Sequence, residues 1–95
     1  MRQAIQHIID DIPIGCIFDS HFIITRLIKF HSDEYLTFAS SIDSSTNKTL
    51  AVHGKIGQEI ANFEKSVIQR LDQNSFSENI HGNASICTCW QKIQN

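Results

Sequence analysis

Basic charge is scarce in this sequence: eight lysines and arginines face ten aspartates and glutamates, leaving a formal charge of −2. That removes the strong positive footprint by which most nucleic-acid binders are recognised. Long apolar runs are also missing. The longest, residues 12–18 and 22–24, fall far short of the about 20 residues that cross a bilayer, so no membrane partner is expected. Residues 1–11 carry one basic and two acidic side chains and no unbroken apolar core, unlike a secretory signal. Cysteine is sparse and odd in number, with Cys16, Cys87 and Cys89 beside five histidines. An odd count argues against a disulfide framework and for reduced thiols, and so for a cytoplasmic protein.

The residues present are those of a globular chain. Hydrophobic side chains make up 41% and charged ones 19%, a composition that folds around an apolar core without needing a cofactor. A chain of 95 residues is too short to share its apolar residues between two cores, which predicts a single domain over residues 1–95.

Apolar spacing divides that domain into a helix within residues 1–11, a helical core over 12–73 and a β-hairpin over 74–95. Ala4, Ile5, Ile8 and Ile9 recur at three- and four-residue steps, giving a first helix over residues 3–11 that stops before Pro13. Residues 12–18 hold Pro13 and Gly15 among apolar neighbours and read as an extended connector or a short buried strand. Asp19 is placed as an N-cap, with Phe18 and Ile23 as the two halves of a hydrophobic staple, so a second helix is expected over residues 20–30. Ser32, Asp33 and Glu34 mark the start of a third.

Residues 43–49 contain no apolar side chain and form a loop. From there Leu50, Ile56, Ile60, Phe63, Val67 and Leu71 keep helical spacing, with Thr46 or Thr49 as cap. They describe one helix to residue 71 or two with a break near Asn62. Gly54 and Gly57 weaken the first half by about 1 kcal/mol each relative to alanine. Phe76 and Ile80, the turn His81-Gly82-Asn83, and residues 84–93 predict two strands. Ile86 and Trp90 would lie on one face of the second strand, Cys87 and Cys89 on the other. Phe18, Ile23, Leu27, Phe38, Ile56, Ile60, Phe63 and Trp90 are expected to share one core.

Motifs that carry chemistry are few. Cys87-Thr88-Cys89 with His81 offers zinc-type ligands, but a closed site needs four and no second pair exists, so neither metal nor cofactor is expected. The histidines, at positions 7, 21, 31, 53 and 81, show no i,i+4 pairing on any expected helix. A thiol nucleophile could be drawn from Cys16 or Cys87 with His53 or His81, yet no spacing singles out a pair, and catalytic residues are expected to be none. His53-Gly54-Lys55-Ile56-Gly57 has neither a Walker nor a GxGxxG pattern.

The order of elements is the most informative signal. A capped helix at Phe18-Asp19-Ser20, a second at Ser32-Asp33-Glu34-Tyr35, a polar loop, a helix from about Thr49 and a terminal hairpin ending near Trp90 together resemble a winged-helix, helix-turn-helix-like domain over roughly residues 12–93. The resemblance implies a mainly α chain with a C-terminal β-hairpin (α+β), DNA as partner, residues 49–61 as the helix entering the major groove and the hairpin as the wing. That helix, however, opens with Leu50, Ala51 and Val52, which do not read bases.

The charge distribution adds to the resemblance. Residues 44–58 hold Lys48 and Lys55 and no acid, whereas residues 1–42 carry three basic and five acidic side chains. Candidate DNA contacts are therefore Ser44, Ser45, Asn47, Lys48, Thr49, His53, Lys55, Gln58, His81, Asn83 and Lys92, drawn from hydroxyl, amide and cationic groups suited to phosphate. The competing expectation is a protein-interaction module on the same scaffold, binding another protein or a second copy of the chain.

Overall fold

The computed structural model describes residues 1–43 and 47–95. Along them run α1 (Arg2–Asp10), β1 (Ile17–Asp19), α2 (Ser20–Phe30), α3 (Ser32–Ser41), α4 (Lys48–Ala61), β2 (Ile68–Arg70), β3 (Ser75–Glu78), β4 (Ala84–Cys87) and β5 (Cys89–Lys92). Among the described residues this is an α+β domain of four helices and two small antiparallel sheets, one of order β1-β5-β2 and one a β3-β4 hairpin. None of its helices is long and apolar enough to cross a membrane.

Local signals set the first half. Ala4, Ile5, Ile8 and Ile9 form the buried stripe of α1, as their spacing requires. Asp19 ends β1 and caps α2, its Oδ1 accepting from the Phe22 amide at 2.8 Å, while Phe18 and Ile23 are both buried across that start. α3 opens at Ser32 without a side-chain cap and buries no residue fully. The cap of α4 is Asn47, whose Oδ1 accepts from the Leu50 amide at 3.0 Å. Thr49 instead lies inside the helix, and Thr46 is outside the described residues.

The core gathers Ile5 and Ile9 of α1, Ile23 and Leu27 of α2, Val52, Ile56 and Ile60 of α4, and Phe18, Ile68 and Trp90 of the sheet. Phe38 and Phe63 pack against it, partly buried, so the eight residues expected to meet do meet. Trp90 sits on the central strand, paired with Phe18 on one side and Arg70 on the other. At 1% exposure its truncation to alanine would cost about 3–5 kcal/mol.

Two expectations need correction. Helical spacing through Phe63, Val67 and Leu71 does not continue the helix: α4 ends at Ala61 with Asn62 as its C-cap, a turn with Lys65 at φ 70° follows, and Ile68–Arg70 pairs with β5. The expected helical core over residues 12–73 therefore contains two strands, because β5 needs partners on both edges and Ile68 is fully buried there. The second arm of the hairpin is likewise not one strand. It breaks at Thr88, whose carbonyl accepts from the Ser20 amide at 3.1 Å. β4 then belongs to the hairpin and β5 to the other sheet. Ile86 is consequently 69% exposed while Trp90 is buried, and the shared face predicted by simple alternation is lost.

Candidate functional site

α4 buries Val52, Ile56 and Ile60 against the core. The adjacent stripe, Thr49, His53 and Gly57 with Leu50, Gly54 and Gln58, forms one wall of a groove of about 540 Å³. β4 and the hairpin turn line it with Ser85, Ile86, Cys87, Asn79 and His81, and α2 with Ser20, His21 and Ile24. Arg70 also lines it, its guanidinium 5.1 Å from the centre of the Trp90 ring and its Nε 3.3 Å from Glu64. Among the described residues the lining holds no aspartate or glutamate. The single acid of α4, Glu59, is turned to Arg2 at 3.6 Å.

The glycines keep this groove open. A methyl group added at Gly54 or Gly57 would meet nothing within 4 Å, so close packing does not account for either. The hairpin turn has its own glycine: Gly82, at φ 80°, adopts a left-handed conformation that side chains disfavour. Asn79 Oδ1 accepts there from the amides of His81 and Asn83 at 2.9 and 3.2 Å.

Three histidines from three elements meet at the groove. His53 of α4 shares a 2.9 Å hydrogen bond between its Nε2 and the Tyr35 hydroxyl of α3. Burial first, then the fields of His81 and His21, hold its pKa below the ordinary 6.5, while burial pushes the Tyr35 hydroxyl up. His21 is held on both sides by the hairpin, with Nδ1 2.7 Å from Ser77 Oγ and Nε2 3.3 Å from Ser85 Oγ.

Beside it Asp19 Oδ2 accepts from Ser75 at 2.7 Å and Ser77 at 2.8 Å. Burial works to raise the Asp19 pKa, but these bonds, the Phe22 amide and His21 together carry it below 3.8. Burial, then the Asp19 charge, raises the Cys89 thiol. Ligand atoms of Asp19, His21 and Cys87 lie within 4.8 Å of one another, all three side chains half-buried. This is not the set that Cys87, Cys89 and His81 suggested.

Of the residues singled out from sequence, Asn47, Thr49, His53, Gln58 and His81 line the groove. Lys48 and Lys55, two helical turns apart, are exposed on α4 outside the groove wall, and Asn83 is exposed in the turn. Ser44 and Ser45 lie outside the described residues. Lys92 departs from expectation altogether. It is 1% exposed, with Nζ donating to the carbonyls of Ile9 at 2.6 Å and Ile12 at 3.0 Å. A strand position on the inner face of β5 carried it into the core, where it donates to one carbonyl in the last turn of α1 and one just beyond the helix.

Sequence reasoning passed over Asp19 as more than a cap, His21, Arg70 and the hairpin serines. One signal was there: Ser75, Ser77, Ser85 and Cys87 alternate with Phe76 and Ile86, and period two puts the polar set on one face. The chain matches no protein-family model, and no curated protein or solved structure is significantly similar to it.

Proposed function

We propose that this chain is a small nucleic-acid-binding domain of winged-helix type, with α4 facing duplex DNA and the β3-β4 hairpin as its wing. The observation that carries the reading is the groove between them. Its described lining offers Arg70, three histidines, hydroxyls and amides and no carboxylate, the groups that phosphate contacts draw on. Lys48 and Lys55 add two exposed cations on the same helix, outside the groove wall. The element order supports the same reading: β1 precedes α2, α3 and α4, β2 and β5 follow them, and the hairpin lies between those two strands in the chain. Three free thiols accord with a cytoplasmic setting.

The test is fluorescence anisotropy of a labelled random duplex against salt. With Lys48, Lys55 and Arg70 as the phosphate contacts, log affinity should fall against log salt with a slope of about −2 to −3, and Lys48→Glu with Lys55→Glu should flatten it. No binding at low salt with protein near about 10⁻⁴ M would overturn the reading.

A second reading rests on a different observation. Phe76 and Ile86 face each other across the hairpin and are 72% and 69% exposed, an apolar pair suited to another protein or a second copy of the chain. Mass rising with concentration in sedimentation, without DNA binding, would favour it.

A further inference from the structure

We propose that Asp19, His21 and Cys87 form a binding site for a divalent transition-metal ion of the zinc class, which clamps the hairpin to the start of α2. Their ligand atoms lie within 4.8 Å of one another. A tetrahedral shell with bonds of about 2.0–2.3 Å places its ligand atoms about 3.3–3.8 Å apart, so small side-chain rotations close the site. The three groups already converge on one point. Ser77 Oγ lies there, 2.7 Å from His21 Nδ1, 2.8 Å from Asp19 Oδ2 and 4.0 Å from Cys87 Sγ, and the ion would take the place of that hydroxyl.

Charge and donor type select the ion. A carboxylate and a thiolate neutralise a divalent cation in a half-buried site, and a nitrogen–sulfur–oxygen set favours zinc over magnesium or calcium, which take oxygen ligands. Asp19 loses nothing as a cap, because Oδ1 stays on the Phe22 amide while Oδ2 turns to the metal. Binding releases one proton, from the Cys87 thiol. His21 coordinates through Nδ1 as a neutral ring, so its proton resides on Nε2 and donates to Ser85 Oγ, the partner already 3.3 Å away and the kind of outer contact that orients a ligating histidine. Three protein ligands leave a fourth position for water.

Because Asp19 and His21 sit at the β1–α2 junction and Cys87 ends β4, an ion here fixes the angle between hairpin and helices. The site stands on this geometry whatever the groove binds.

The test is a cobalt(II) titration of the intact chain, kept reduced, read by visible ligand-field bands and the near-ultraviolet thiolate-to-cobalt band. The expected result is saturation at one ion per chain, reversed by zinc. Cys87→Ser should abolish the thiolate band. Asp19→Asn, whose amide oxygen still caps α2, should weaken binding at least about tenfold. Cys89→Ser should leave both readouts unchanged. No band at millimolar cobalt, or a band that survives Cys87→Ser and disappears in Cys89→Ser, would overturn the proposal.

Discussion

Nζ of Lys92 donates to the carbonyl oxygen of Ile9 at 2.6 Å, so the last strand of the described fold closes the C-terminal end of the first helix. The same Nζ reaches Ile12 at 3.0 Å. Helix ends leave carbonyls without i+4 partners, and here a side chain 83 positions away reaches the one at Ile9, which also accepts from the Ile12 amide at 3.0 Å. Lys92→Met should preserve the aliphatic packing yet remove both bonds, leaving the Ile9 carbonyl with the Ile12 amide at 3.0 Å and the Ile12 carbonyl without this donor, at a cost of about 1–2 kcal/mol. Urea unfolding measures this. A midpoint equal to that of the parent would mean that the two bonds contribute nothing net.

The glycines of α4 separate stability from binding. Helix interiors disfavour glycine, and added methyl groups at Gly54 and Gly57 meet no atom within 4 Å. Gly54→Ala and Gly57→Ala should therefore each stabilise the fold by about 0.5–1 kcal/mol. Both positions line the groove, so the same methyls should obstruct whatever enters it. The expected double mutant melts higher and binds duplex more weakly. One that melts higher with unchanged duplex affinity would remove the groove from the interface.

His53 should make stability depend on pH near neutrality. Burial and the neighbouring His81 and His21 hold its folded pKa below 6.5, and Tyr35 of α3 is its hydrogen-bond partner. Between the folded and unfolded values the unfolded chain binds the extra proton, so stability is full above 6.5 and is lost as pH falls below it. Asp19, held below 3.8, acts in a separate, more acidic window. Denaturation midpoints across the mildly acidic range should fall for the parent and fall less for His53→Gln. Parallel curves would assign the slope to other groups.

The legible parts of this molecule are those encoded within a few residues. The stripe of α1, the Asp19 cap, the limits of α2 and the turn at Gly82 follow from periodicity and capping, which act over one or two helical turns. Five candidate contacts, Asn47, Thr49, His53, Gln58 and His81, fall along one groove, because α4 and the hairpin turn were both identified from such signals. β2 was not legible: Phe63, Val67 and Leu71 fit a helical period, and only the edge of β5 makes a strand of Ile68–Arg70.

The sequence by itself determined an α+β chain with a capped helical core, a C-terminal hairpin and a set of apolar residues that meet in one place. Tertiary structure alone decided that Lys92 faces inward, that Thr88 splits β4 from β5, and that Asp19 and His21 face Ser77 and Cys87. The physical reason is separation along the chain. His21 and Ser77 stand 56 positions apart, and contacts at that distance are set by sheet pairing and the packing of whole elements. No local period or cap signals them.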